Sequence, residues 1–133
     1  MKVMIGLIGL MVLIEGTWLF QNKPLVQSIS DGKEIYQDFC IQCHLDTGKG
    51  VSGVFPPLAQ SDYLLNDIDL SIKGIKYGMS GPITVNGEEY NGVMQNQGLD
   101  EVEITDVMNY VINSWGNKSE EVITPERVAS ITK

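Results

Sequence analysis

Cys40-Ile41-Gln42-Cys43-His44 contains both cysteines and the single histidine of this 133-residue chain. Two thiols three positions apart, followed at once by an imidazole, form the C-x-x-C-H haem attachment pattern. The spacing has a chemical reason. Each thiol can close a thioether with one of two vinyl groups on the same porphyrin edge, and the adjacent imidazole then lies under the ring within reach of iron. Rival uses of these residues lack their context. A thioredoxin-like dithiol sits in a βαβ unit, and the chain shows no such alternation. A structural zinc site takes four ligands, and Cys and His together number three. A disulfide across two residues closes too short a loop to constrain the unfolded chain much. A tethered haem also eases a size problem, because a domain of roughly 100 residues buries limited apolar area by itself.

Toward the amino terminus, Ile35, Tyr36 and Phe39 give the residues before Cys40 one apolar face. Asp31 with Glu34 three positions on has the form of a capping box, which predicts a helix starting there and running into Cys40. Residues 21–30, QNKPLVQSIS, read as a linker, with Pro24 against a continuous helix. Residues 1–20 carry Lys2 and an apolar run, Val3–Ile14, of the length of a signal-peptide core. That run falls short of the roughly 20 residues that span a bilayer, yet Trp18, Leu19 and Phe20 extend it past Glu15. No small-x-small cleavage site adjoins it, and Ser28-Ile29-Ser30 lies well downstream. An uncleaved anchor is favoured over a removed signal, and either exports the remainder.

Toward the carboxyl terminus, Thr47–Gln60 is rich in glycine and proline and predicts a loop. Ser61–Tyr77 resumes helical spacing through Leu64, Leu65, Ile68, Ile72 and Ile75, with Gly78 as its stop. Asn86-Gly87, between Ile83-Thr84-Val85 and Glu88-Glu89-Tyr90, predicts a type I′ hairpin. Residues 91–99 read as loop. Asp100 with Glu103 forms a second capping box, and Ile104, Val107, Met108, Val111 and Trp115 make the apolar stripe of a final helix ended by Gly116. Thr124-Pro125-Glu126 predicts one short turn in a polar tail.

An iron held by His44 leaves a sixth position, and no second histidine exists to fill it. A methionine thioether is the natural alternative, and it raises the reduction potential. Met1, Met4 and Met11 belong to the export segment, and Met108 to the last helix's stripe. Met79 and Met94 remain. Met94, in a glycine-flanked loop before the final helix, is favoured by context over Met79, which follows a helix end.

The formal net charge is −8, and residues 28–133 alone carry −9. Nucleic-acid binding needs clustered cations, so this composition excludes it. No nucleophile–base pair or metal cluster accompanies the motif, which argues for an electron carrier over an enzyme.

These features, over about residues 30–127, resemble a class I c-type cytochrome with one haem. Pro57-Leu58-Ala59, Gly81-Pro82-Ile83-Thr84-Val85-Asn86-Gly87, Tyr90-Asn91-Gly92-Val93-Met94 and Asn113-Ser114-Trp115-Gly116-Asn117 are similar to the small cytochromes, free or fused, that accompany copper nitrite reductases and quinoprotein dehydrogenases. The resemblance implies an all-α cytochrome c fold, several helices around one haem, with a small hairpin near 83–90. It implies haem c bound through Cys40 and Cys43, with His44 and Met94 as iron ligands. It also implies that a carbonyl of the Pro56-Pro57 turn orients His44, which makes Pro57 a cofactor-site residue, and that Gly32, Tyr36 and Tyr110 lie where the first and last helices meet. The expected organisation is an export segment or anchor at 1–20, a linker at 21–29, the haem domain at 30–127 and a tail at 128–133. The expected role is one-electron transfer in the periplasm or at the outer face of the membrane. Its partners would be redox proteins: a copper nitrite reductase, a quinoprotein dehydrogenase, a terminal oxidase or a respiratory complex. Two alternatives share the motif. One is a fixed subunit of a larger oxidoreductase. The other is a gas sensor or peroxidase-like domain with a labile sixth site, since Gln95 rather than a stiffening proline follows Met94.

Overall fold

The computed structural model describes residues 23–133, so the segment expected to direct export lies outside the described residues. Helix α1 spans Leu25–Phe39, earlier than expected. Pro24 stands at its N-cap, where a missing N–H costs nothing, and its carbonyl accepts from the N–H groups of Gln27 and Ser28. The linker expected at 21–29 is therefore mostly helix. Asp31 is an interior residue of α1 that accepts from Gln27 Nε2 and Lys23 Nζ, each at 2.7 Å, and caps nothing. A distant partner decides this. Ser28, Gly32 and Tyr36, four apart, form the buried face of α1. Ser28 Oγ donates to Asp106 Oδ1 at 2.6 Å and accepts from Asn109 Nδ2 at 3.0 Å.

Those partners lie on α5, Glu101–Val111, after α2 (Ile41–His44), α3 (Asp62–Asn66) and α4 (Ile68–Tyr77). Helix α5 carries the expected capping box in full: Asp100 accepts from the N–H groups of Val102 and Glu103, and Glu103 accepts from that of Asp100. Its Ile104, Val107, Met108 and Val111 are core residues together with Leu64, Ile68 and Ile72. It ends at Val111, not at Gly116 as the stripe predicted. Trp115 adopts φ +52° and Gly116 φ +85°, a left-handed turn that swings the indole away from the helix axis. The ring then packs 5.0 Å from Tyr36 and 5.6 Å from Tyr110, and its Nε1 donates to Asp46 O at 2.8 Å. The aromatic contact outweighs continuation of the helix.

Two two-stranded antiparallel ladders follow α4. β2 (Ile83–Val85) and β3 (Glu88–Tyr90) form the expected hairpin, with positive φ at both Asn86 and Gly87. β1 (Met79–Ser80) and β4 (Val93–Met94) were not expected, since 91–99 read as loop. Their register, Met79 opposite Met94, continues that of the hairpin, Ile83 opposite Tyr90, beyond Gly81-Pro82 and Asn91-Gly92. One long hairpin is thus interrupted by residues that cannot sustain a ladder. Finally α6, Pro125–Ser130, is capped by Thr124 and buries Val128 in the core, so the chain from 128 onward begins as packed helix rather than tail. No helix among the described residues is long and apolar enough to cross a membrane.

Candidate functional site

The helical break at Cys40 creates the site. Cys40 closes α1 and opens α2, a single turn in which the N–H of Cys43 and that of His44 donate to Cys40 O. Cys40, Cys43 and His44 all line one cleft of about 370 Å³. Burial and the neighbouring Cys43 push the Cys40 thiol up to about 11. A redox dithiol needs the opposite, a depressed thiol, so this environment argues against thioredoxin-like use.

His44 is 9% exposed, and its Nδ1–H donates to Pro56 O at 2.9 Å. Burial lowers its pKa, against a smaller opposing effect of that bond. A neutral imidazole with Nδ1 committed presents Nε2 as its metal-binding atom. The glycine-rich loop after His44 holds the acceptor in place. Gly50 N–H donates to His44 O at 3.0 Å, and the N–H groups of Leu58 and Ala59 converge on Gly48 O. Gly50 has φ +60°, and a Cβ there would fall 2.2 Å from Phe55 O and 2.7 Å from Pro56 O. The acceptor is therefore the carbonyl of Pro56. Pro57 does not bond His44; its part is to line the cleft. On the other side of the motif, Tyr36 Oη donates to Leu45 O at 2.6 Å, and burial pushes that phenol's pKa up, which keeps it a donor.

Phe39, Leu58, Leu64, Ile75, Leu99 and Val111 supply apolar walls to the cleft. Such a space, apolar with a few convergent polar groups, fits a flat apolar group. Two half-buried thiols at its edge and one anchored imidazole are the donor set that a covalent haem requires. Met94 also lines it, as expected, and so does Met79, which the sequence placed second. Met108 is 1% exposed within the core cluster while reaching the same cleft. The structure thus brings Cys40, Cys43, His44, Pro57 and Met94 together and adds Met79, Gly50 and Pro56. A signal for Met79 existed: Met79 and Met94 stand equally far from the Asn86-Gly87 turn.

Comparison with known proteins agrees with this arrangement. A family model described as cytochrome c matches residues 29–115. The chain is 38% identical over 93 residues to cytochrome c-552 of Thermus thermophilus, covering 66% of this chain and 70% of that one. A second cytochrome c-552, from another strain of that species, is matched at the same identity over 62% of its length. The cytochrome c subunit of a quinone alcohol dehydrogenase from Gluconobacter oxydans is 25% identical over 103 residues, 75% of this chain but 21% of that subunit. The cytochrome c subunit of a gluconate 2-dehydrogenase from Pantoea cypripedii is 26% identical, with 24% of its length covered. The chain therefore spans about a quarter or less of these dehydrogenase subunits.

Proposed function

This chain belongs to the cytochrome c family, and from that premise we propose that it carries single electrons on one haem held between His44 and Met94, outside the cytoplasm. It is an electron carrier rather than an enzyme, with haem c bound covalently through Cys40 and Cys43. When bound, the haem supplies a reversible one-electron couple. The protein's residues do the rest. Cys40 and Cys43 tether the group. The bond from His44 to Pro56 fixes the imidazole and raises its basicity. The apolar walls exclude water, which favours the less charged, reduced state and so raises the potential. A thioether from Met94 acts in the same direction.

The observation that carries the ligand assignment is the convergence of His44 and Met94 on one apolar cleft with His44 anchored at Nδ1. Val93, Val54 and Phe39, exposed by 72%, 53% and 42%, also line the cleft, and they offer an apolar contact for a redox partner at its mouth. Quinoprotein dehydrogenases lead the partner classes, because the relatives include cytochrome subunits of such enzymes; a copper nitrite reductase, terminal oxidase or respiratory complex is an outcome to be tested by direct reduction and oxidation assays. The run Val3–Ile14 supports export with an anchor at 1–20. Intact-mass measurement of membrane-fraction protein checks this: loss of roughly the first 20–30 residues replaces the anchor with a cleaved signal.

The test of ligation is spectroscopic. The haem-loaded protein is expected to be low-spin in both oxidation states and indifferent to carbon monoxide. Its reduced form should show one methionine methyl resonance shifted far upfield, assigned to Met94. A high-spin spectrum with ready carbon monoxide binding means an open sixth site, and the sensor or peroxidase-like reading then replaces the carrier.

A further inference from the structure

We propose that Met79 is a reserve ligand for the haem iron, held beside Met94 and able to replace it. This rests on Met94 as the resident ligand. Four observations carry it. First, Met79 and Met94 are direct partners across the β1–β4 ladder. Residues directly opposite in an antiparallel pair project their side chains on the same face, with Cβ atoms about 5 Å apart. Second, the two side chains converge on Gly74 of α4. A Cβ built there would lie 3.1 Å from Met79 Sδ and 3.8 Å from Met94 Cε. The absence of a side chain at 74 leaves room for both.

Third, both methionines line the haem cleft and are half-buried. Neither belongs to the hydrophobic core cluster that takes Met108. A methionine serving only as filler would pack there. Fourth, the ladder that carries Met94 is two residues long and is followed by Gln95, with no proline to stiffen the backbone. Met79, in contrast, follows directly on α4, a ten-residue helix, after a single glycine. When β4 frays, Met94 leaves, while Met79 stays anchored by its helix.

The exchange breaks one Fe–S bond and forms another. Both ligands are neutral two-electron donors, so iron keeps its charge and coordination number and no proton or electron moves. The consequence is a carrier that stays low-spin, and closed to small ligands, through loss of its first thioether.

The test uses haem-loaded full-length protein with 13C-methyl methionine, in four forms: unmutated, Met79→Leu, Met94→Leu and the double variant. The expected result is an unchanged upfield methyl in Met79→Leu, a different upfield methyl in Met94→Leu, and none in the double variant. Carbon monoxide should bind the double variant at least about tenfold more tightly than Met94→Leu, because a competing internal ligand lowers the open fraction. If Met94→Leu lacks any upfield methyl and binds carbon monoxide as the double variant does, Met79 does not reach the iron. The proposal then falls while Met94 stands. If instead the unmutated signal disappears in Met79→Leu and persists in Met94→Leu, the assignment of Met94 itself is wrong. Should Met94→Leu fail to take up haem, the unmutated protein is followed on heating. A second shifted methyl, absent in Met79→Leu, supports the exchange, and a single one up to unfolding overturns it.

Discussion

A Cβ on Gly32 would lie 1.9 Å from the carbonyl oxygen of Asp106 and 2.9 Å from Cβ of Tyr110. Helices α1 and α5 therefore meet backbone to backbone at this point. The rest of the crossing depends on that approach: the Ser28–Asp106 and Ser28–Asn109 bonds on one side, and the Tyr36–Tyr110 contact, centroids 5.5 Å apart, on the other.

Gly32→Ala must push the helices apart, since the obstructing atoms are backbone. Overpacking of this kind is expected to cost about 3 kcal/mol. Guanidinium unfolding of the haem-loaded protein checks it. A loss below about 0.5 kcal/mol, the scale of an ordinary surface change, would show that the crossing is not set here.

Gly50→Ala strikes the loop that holds Pro56. The added methyl meets Phe55 O and Pro56 O, so the carbonyl that accepts from His44 must move. A weaker bond at Nδ1 makes the imidazole a poorer donor to oxidised iron. The reduction potential should rise, as read by redox titration, with covalent haem still present by mass. A potential equal to or below that of the unmutated protein rejects this role for the loop.

Lys76, whose side chain is 14% exposed, donates from Nζ to Val128 O at 2.9 Å and to Ile131 O at 3.2 Å, closing the carboxyl end of α6 onto α4. Lys76→Met removes a charged donor from these carbonyls and should cost about 2 kcal/mol. Amide exchange over residues 125–131 should quicken ahead of the rest. Uniform protection in the variant would mean that Val128 burial alone holds the helix.

Glu88 links the His44 side of the cleft to the hairpin. Its pKa is lowered first by the hydrogen bond from Ser52 Oγ, at 2.5 Å, and then by that from Tyr90 Oη, at 2.9 Å. A carboxylate depressed in the folded state contributes stability above its ordinary value of 4.5, and that contribution disappears as pH falls through the folded value. Ser52→Ala should therefore lower the thermal midpoint at pH about 6 more than at pH about 3, flattening the acid limb. Parallel pH profiles for the two proteins would dismiss the link.

Features that depend on neighbours within a few residues are legible in the chain alone. Cys40, Cys43 and His44 share one helical turn, Asp100 and Glu103 one capping box, and Asn86-Gly87 one tight turn. Each interaction closes within five positions, so residue type and spacing settle it. Cytochrome c architecture followed, because a covalent haem dictates what must surround it. The docking of distant segments settled the rest. Asp31 looks like a cap, yet α1 starts at Leu25 because Asp106 and Asn109, nearly eighty positions away, pair with Ser28. Trp115 continues the apolar stripe of α5, yet the helix stops at Val111 because the indole finds Tyr36 and Asp46 O. The choice of Pro56 over Pro57 as acceptor, and the placement of Met79 opposite Met94, likewise depend on which segments meet in space. Such contacts cost loop-closure entropy that only the whole core offsets, and no local pattern records which of them that core selects.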